Sequence, residues 1–245
     1  MKKLYIAWQD PVEKHWLPVG QLTFNGESYL FVYTKGALKT KNFLPFGRMS
    51  NLNVAYESTE LFPLFSNRLL SKNRPEYKDF LHYLNIRDNE DNPLALLALT
   101  EGKRETDNLE IFPCSEKNAE GKYSLRFFVH GIRHLLPNAI EMINTLKVGD
   151  RLLLMPDPQN PNDRYAIAIR NAETTIVGYC PRYLTSDFHY LLKECDPRDI
   201  IAQVEQVNVD APIQLRLLCQ ISAPWPENFT PCSGENYQPL VVVEG

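Results

Sequence analysis

The stretch that decides how the second half of the chain folds is 157-DPQNPNDRYAI-167. Its prolines and its Asn and Asp residues favour a tight turn, because proline fixes one backbone angle and short polar side chains hydrogen-bond to nearby backbone amides. From Tyr165 to Ile169, every second residue is aromatic or β-branched, which is typical of a strand. The stretch therefore predicts a turn that leads directly into a β-strand.

Short β-prone runs lie on both sides of this turn. They predict strands at residues 123–129, 152–154, 175–179, 200–207 and 214–221. One helical pattern opens at Pro137 and is closed by Gly149, and a second runs from Tyr183 to Lys193. Many short strands with only two helices predict a small barrel over residues 123–223. Residues 224–245 contain four prolines and are expected to form an extended tail.

Residues 1–114 predict a separate unit of antiparallel strands and helices. Strands are expected at 4–8, 19–24, 29–33 and 109–112, and Asn25-Gly26 is expected to form a type I′ hairpin turn. Apolar residues at helical spacing predict helices over 61–70, from Pro75, and over 93–99. The polar run 115–122 is the expected boundary between the halves. The predicted fold class is therefore α+β, with a mixed antiparallel β/α subdomain followed by a barrel.

Composition narrows the possible functions. Hydrophobic residues make up 44% of the chain and charged residues 23%, which is typical of a soluble globular protein. Apolar runs are too short for a membrane span or a signal peptide, so a cytoplasmic location and no membrane partner are expected. The net charge of −4 excludes a strongly basic nucleic-acid binder. Two acid-free windows, 28–56 and 121–140, restrict any contact with phosphate to local patches.

Three motifs in the second half resemble the HIRAN domain family: 131-GIR-133, the 157–167 stretch, and 177-VGYCPR-182. The resemblance extends from Tyr123 to Ser222. It implies a small OB-like barrel, a fold found alone in prokaryotes and fused to helicases in eukaryotes. The helicase-fused members bind the free 3′ end of single-stranded DNA in a basic and aromatic pocket. Single-stranded DNA or DNA ends are therefore the expected ligand.

The resemblance also implies a set of DNA-binding residues. Arg133 and Arg182 would contact phosphates, and Asn160 and Asp163 would hydrogen-bond to the terminal sugar. The remaining positions of the pocket hold different residue types here: the stacking aromatics fall on His134 and Asn162, and a pocket histidine falls on Tyr179. Tyr165, Tyr179 or Tyr183 could supply the stacking surface instead. Two alternatives compete with these roles. Asn160 and Asp163 could serve only as turn residues, and Arg133 could pair with Glu141 or Asp150.

The first half resembles the N-terminal subdomain of HipA-type kinases, through 19-VGQLTF-24, 29-YLFVY-33 and 61-LFPLFSNRLL-70. This implies docking to a HipA-like kinase or another toxin-antitoxin component. Several aromatic residues would serve either as interface anchors or as core: Trp8, Trp16, Tyr33, Phe43 and Phe46. The alternative function is thus an antitoxin-like, protein-interaction regulator with little DNA binding.

The sequence lacks several familiar catalytic motifs, which argues against an enzyme. The chain has neither a Gly-rich phosphate loop with a His-Arg-Asp-type segment nor a G-x-S-x-G turn. His130 and His134 lack the glutamate of a HExxH zinc site, and the five cysteines form no CxxC pair. No catalytic residue, metal or cofactor is therefore expected. The predicted function is a non-enzymatic bacterial DNA-binding adaptor.

Overall fold

The computed structural model describes residues 2–87, 90–104 and 106–242. Within these, the chain forms two compact units. The first unit draws on residues 1–77, 89–114 and 232–245, and the second unit on residues 78–88 and 115–231. The sequence-based boundaries placed 78–88 in the N-terminal domain and 232–245 in a separate tail. No described helix is long and apolar enough to cross a lipid bilayer.

An antiparallel five-stranded sheet forms the first unit. Its strands are β1 (Lys2–Gln9), β2 (Trp16–Phe24), β3 (Tyr29–Tyr33), β4 (Tyr56–Ser58) and β5 (Leu109–Pro113). They lie in the order β4-β3-β2-β1-β5. Two helices accompany the sheet, α1 (Pro63–Ser66) and α3 (Pro93–Thr100), and α2 (Tyr77–Tyr83) follows α1 in the chain. Asn92 caps α3, since its side chain accepts from the amide of Leu94.

The turn between β2 and β3 differs from the prediction. Phe24 pairs with Tyr29, so the loop has four residues rather than two. Gly26 has a φ of 109°, whereas Asn25 is not among the residues with positive φ. The Asn25 side chain instead accepts from the amides of Glu27 and Ser28 at 2.9 and 2.8 Å. The type I′ prediction was wrong because this side chain builds an Asx turn.

The aromatic residues of the first unit fill its core. The Phe43 ring lies 5.3 Å from that of Trp8 and 5.4 Å from that of Phe46. Tyr33 is fully buried, and its hydroxyl donates to the carbonyl of Met49 at 2.7 Å. Tyr33 and Phe43 are therefore core residues, and Trp8 and Phe46 pack against that core while half-buried, which argues against these four as anchors for a protein partner. Trp16 is half-buried and lies outside this cluster.

The predicted helix over 61–70 is short in the structure. Only Pro63–Ser66 is helical, and the apolar side chains around it pack on the core from turns. Arg68 fixes these turns, since its Nε donates to the carbonyl of Leu64 at 3.0 Å and one Nη to that of Gly102 at 2.8 Å. Its guanidinium also forms an ion pair with Asp107, while its side chain is only 2% exposed.

Residues 224–245 are not a simple extended tail. Phe229 is buried in the second unit, where its ring lies 4.9 Å from that of Trp225. Further along, the amide of Leu240 donates to the carbonyl of Tyr33 at 2.8 Å, within the first unit. Pro224 is the last residue of β11, and Pro239 forms an isolated β-bridge with Thr34. The segment is therefore bound through backbone and apolar contacts in spite of its prolines.

An antiparallel six-stranded sheet forms the second unit. Its strands are β6 (Lys122–Phe128), β7 (Arg151–Pro156), β8 (Ile167–Arg170), β9 (Ile176–Tyr179), β10 (Ile201–Val207) and β11 (Leu217–Pro224). Their order is β6-β11-β10-β7-β8-β9. His130, just after β6, forms a bridge with Tyr179 at the end of β9. The sheet therefore curls until its two edges meet, as an OB-like barrel requires, and the predicted α+β class is confirmed.

Two helices pack on this sheet, α4 (Pro137–Thr145) and α5 (Thr185–Glu194). Gly149 does not cap α4, because the helix already ends at Thr145 and Leu146 is extended. Gly149 has a φ of 88° and sits in the turn before β7, where its amide donates to the carbonyl of Val204 at 2.8 Å.

The segment 78–88 belongs to the second unit because its backbone is bound there. An Nη of Arg126 donates to the carbonyl of Leu84 at 2.8 Å, and Nδ2 of Asn208 donates to that of Tyr83 at 2.9 Å. The Leu84 side chain is fully buried.

Candidate nucleic-acid interface

The meeting of the two sheet edges depends on Gly178. Its φ is +139°, and a Cβ there would lie 2.4 Å from Cγ1 of Val129 and 2.5 Å from the carbonyl oxygen of His130. Only glycine permits this approach. The backbones of His130 and Tyr179 then exchange hydrogen bonds of 2.8 and 2.9 Å. As a result, the segment that begins at Gly131 runs beside Tyr179.

Gly131 starts a short 3-10 helix, Ile132–His134, from a left-handed conformation with a φ of 74°. Ile132 is buried and anchors the turn, whereas Arg133 and His134 are exposed. Nε of Arg133 donates to Nε2 of His134 at 3.0 Å. The partner of Arg133 is thus a neighbouring ring rather than the carboxylate of Glu141 or Asp150.

The loop 157–166 is built on side-chain bonds to its own backbone. Oδ1 of Asn160 accepts from the amides of Asn162 and Asp163 at 3.0 and 3.2 Å. Oδ1 of Asp163 accepts from the amide of Tyr165 at 2.9 Å. These residues therefore do serve as turn residues. The side chain of Asn162 is exposed beyond the turn.

Asp157 connects this loop to β9. Its Oδ2 accepts from the Tyr179 hydroxyl at 3.1 Å and from Nδ2 of Asn160 at 3.2 Å. Burial and the bond to this carboxylate raise the pKa of Tyr179, so its hydroxyl keeps its proton at neutral pH. The loop is thereby fixed against the strand end.

Arg182 is the last member of this series of contacts and lies in the chain just after β9. Pro181 is buried and opens a 3-10 helix, Arg182–Leu184, which leaves the Arg182 side chain 46% exposed. Its Nε lies 3.8 Å from Oδ2 of Asp163. The neighbouring Cys180 is buried, which raises the pKa of its thiol to about 12 and leaves no thiolate nucleophile at neutral pH.

A continuous set of contacts thus runs from Tyr179 through Asp157, Asn160 and Asp163 to Arg182. Arg133 and His134 contact each other beside Tyr179 but form no hydrogen bond with the loop in the described structure. The structure therefore places all the predicted side chains at the barrel edge formed by the loop, the end of β9 and the 3-10 turns.

Three residues of this region escaped the sequence analysis: Asp157, Arg164 and His189. Tyr165 entered it only as one of three tyrosines that could replace the stacking aromatics. Asp157 lies in the quoted stretch, where it resembles any other turn residue. Tyr165 is 54% exposed, and the Arg164 guanidinium lies 4.6 Å from the centre of its ring. Nε2 of His189, on α5, donates to the carbonyl of Tyr165 at 3.0 Å. No sequence signal connects His189 with the loop.

Comparison with known proteins supports the assignment of this unit. Residues 122–225 match the family model of the HIRAN domain. None of the curated proteins compared with the chain matches it. The crystal structure of the HIRAN domain of human HLTF is 21% identical and has a TM-score of 0.32, with 43% of this chain and 80% of that chain covered.

Two further structures are similar over a comparable share of the chain. A protein from Lactobacillus plantarum is 20% identical, with a TM-score of 0.32 and coverage of 42% of this chain and 96% of its own. The human HLTF HIRAN domain in its DNA-bound conformation is 20% identical, with a TM-score of 0.27 and coverage of 41% and 75%. The HipA resemblance of the first half stays a prediction. The resemblance of the second half is confirmed, since residues 122–225 match the HIRAN domain.

Proposed function

We propose that the second unit binds single-stranded DNA ends, with the barrel edge around the 157–166 loop as its interface. The observation that carries this proposal is the contact series from Tyr179 to Arg182, which brings together carboxylate, amide and guanidinium groups that suit a sugar hydroxyl and a phosphate. The match of residues 122–225 to the HIRAN domain also supports it, because the family resemblance implies this ligand.

The charges around the interface favour local and salt-sensitive binding. Arg133, Arg164 and Arg182 reach solvent there, whereas the nearby Asp157 and Asp163 are half-buried. Guanidinium groups suit phosphate oxygens because they donate two parallel hydrogen bonds. The acidic net charge of −4 opposes binding at long range. A dissociation constant of about 1 μM, which corresponds to about 8 kcal/mol, is expected at low salt.

Asp163 is the residue that would recognise a free end. One of its carboxylate oxygens holds the amide of Tyr165, and the other faces Arg182. A terminal 3′ hydroxyl could donate to the second oxygen, whereas a 3′ phosphate would be repelled by it. This arrangement provides a physical basis for preferring hydroxyl ends.

Fluorescence anisotropy on the full chain tests the proposal. The probes are single-stranded oligothymidylates of equal length, with either a 3′ hydroxyl or a 3′ phosphate. With about two to four phosphate contacts, log affinity should fall with log salt at a slope of about −1.5 to −3. Arg133→Ala and Arg182→Ala should each flatten that slope by about 0.7. Arg198→Ala is the matched control, because its side chain is 88% exposed and pairs with Asp196.

Asp163→Asn separates end recognition from loop structure. The amide keeps an oxygen for the Tyr165 amide but loses the charge, so the preference for hydroxyl over phosphate ends should disappear while overall binding persists. Absence of binding to either probe at about 50 mM salt, with a folded protein by circular dichroism, contradicts the proposed function.

A partner-docking and non-enzymatic role for the first unit is part of the same proposal. The resemblance to the HipA N-terminal subdomain motivates it, and of the five aromatic candidates only Trp16 lies outside the core cluster of the first unit. Co-purification of the full chain with a HipA-like kinase or another toxin-antitoxin component tests this role. Recovery of DNA without any such partner favours a DNA-binding function alone.

A further inference from the structure

Tyr165 stands apart from the other aromatic residues of the chain. It is 54% exposed, and every other Phe, Tyr or Trp that the structure describes is buried or half-buried. A tyrosine ring in water forgoes much of the free energy that its burial would provide. A feature that costs stability in this way and lies at a proposed binding edge calls for a functional explanation.

The backbone of Tyr165 is fixed on both sides. Its amide donates to Oδ1 of Asp163 at 2.9 Å, and its carbonyl accepts from Nε2 of His189 at 3.0 Å. The His189 ring also lies edge-on to the Tyr165 ring, with centroids 6.4 Å apart and planes at 82°. Because loop and helix both hold this residue, its ring is oriented before any ligand arrives. Preorganisation of this kind reduces the entropy lost on binding.

The side chain of Arg164 places a positive charge beside the Tyr165 ring. The Arg164 guanidinium lies 4.6 Å from the ring centre, and one of its nitrogens donates to the Tyr165 hydroxyl. On the other side of Asp163, Arg182 lies 3.8 Å from the carboxylate. An aromatic ring with one arginine beside it, next to an aspartate that faces a second arginine, suits a single strand, in which bases and phosphates alternate.

We infer that Tyr165, with Arg164 beside it, forms a base-stacking subsite for a nucleotide close to the 3′ end. This inference rests on the proposed function and assigns a residue to it. His134 and Asn162 occupy the positions where the family resemblance places stacking aromatics, and they offer less stacking surface. Tyr165 supplies that surface from a different position in the loop. The occupant is any nucleobase, because each has a π-face and no base-edge donor or acceptor is specified here.

Two sets of measurements test the subsite by anisotropy, with the full chain and a 3′-hydroxyl oligothymidylate. The first compares variants. Tyr165→Ala should weaken binding about 5- to 100-fold, and Tyr165→Phe should stay within about twofold, since stacking needs the ring and not the hydroxyl. Val209→Ala is the control, because Val209 is an apolar residue of the same unit that is 50% exposed.

The second set leaves the protein unchanged. Each of the last three nucleotides is replaced in turn by an abasic nucleotide. One replacement should weaken binding to the wild-type chain by a similar factor and have almost no effect on Tyr165→Ala, because both changes remove the same stack.

The outcomes distinguish the inference from the proposed function. If the wild-type chain binds the oligonucleotide but tolerates Tyr165→Ala and every abasic replacement within about twofold, the subsite is wrong and the interface stands. An equal loss in Tyr165→Phe assigns the effect to the hydroxyl and also overturns stacking. If the wild-type chain binds no DNA, both fail. Circular dichroism confirms the fold of each variant.

Discussion

The two units use the same kinds of side chain in opposite ways. In the first unit, the rings of Tyr33, Phe43 and Phe46 lie 5.4 to 6.0 Å apart inside the core. In the second unit, Tyr165 is exposed on a loop whose own side chains hold it in place. Arginine shows the same contrast, since Arg68 is buried in an ion pair and Arg133 is exposed. The residue type alone therefore does not indicate function. What matters is whether the backbone places the side chain in the core or at the surface.

The largest expected effect tests whether the placement of the proposed binding residues in the second unit depends on the contact between the two sheet edges. Gly178→Ala should destabilise that unit by about 4 kcal/mol, because it adds a backbone strain of about 1–3 kcal/mol to an overpacking cost of similar size. The variant should also lose DNA binding, since the His130–Tyr179 bridge cannot form. Urea unfolding and anisotropy measure the two effects.

Gly149→Ala is the matched control for this change. Gly149 also has a positive φ, of 88°, but a Cβ there would meet nothing within 4 Å. Its replacement should therefore cost only the backbone strain, about 1–2 kcal/mol. Equal losses of stability in the two variants would refute the role assigned to the close approach at Gly178.

The next effect concerns the buried arginine of the first unit. Arg68→Ala leaves Asp107 and two carbonyls without their donor, and it should destabilise the first unit by about 3 kcal/mol. DNA binding by the second unit should be unaffected. Hydrogen exchange of β1 and β5 reports the loss, and Arg198→Ala should show no change in those strands. A loss of DNA affinity in Arg68→Ala would contradict the distinction between Arg68 as a structural residue and Arg133 as a binding residue.

The smallest effect concerns a buried carboxyl in the second unit. Asp187 accepts from Ser115 at 2.8 Å and from Tyr123 at 3.3 Å, and burial raises its pKa to about 6. Because the folded pKa lies above the unfolded value, this group stabilises the unit below about pH 4, and that stability is lost as the pH rises to about 6. Asp187→Asn should therefore remove about 1–3 kcal/mol of pH dependence in this window.

Urea unfolding at several pH values between about 4 and 7 measures this effect. Asp210→Asn, at an exposed position of the same unit, is the control. An unchanged pH profile in Asp187→Asn would show that other groups control the acid response of the second unit.

Much of this architecture could be predicted from local pattern. Runs of β-branched and aromatic residues located the strands near β2, β3 and β10, and alternation located β6, because these residue types and a period of two suit a pleated strand. The segment 78–88 could not be placed in this way. Its membership of the second unit depends on Arg126 and Asn208, which bind its carbonyls and lie far away in the sequence.

Some residues of the proposed interface could likewise be predicted from the sequence, and others could not. Asn160 and Asp163 could be identified because a turn motif fixes their order and spacing. Tyr165 was one of three candidate tyrosines and could not be singled out, because it begins the alternating run 165-YAIAI-169, where a tyrosine predicts burial as readily as exposure. Its exposure follows from the bond to Asp163 and from the contact with His189 on α5, and neither is visible in the sequence.

The segment 78–88 also affects how the barrel region could be moved to another gene by recombination. A gene cut between the codons for residues 114 and 122 would separate the barrel from the upstream segment that carries the buried Leu84, whose carbonyl accepts from Arg126. The barrel product would lose a buried side chain and one acceptor of Arg126. Recombination that moves the HIRAN-matching region of this chain alone to another gene should therefore lower its stability unless a different segment takes this place.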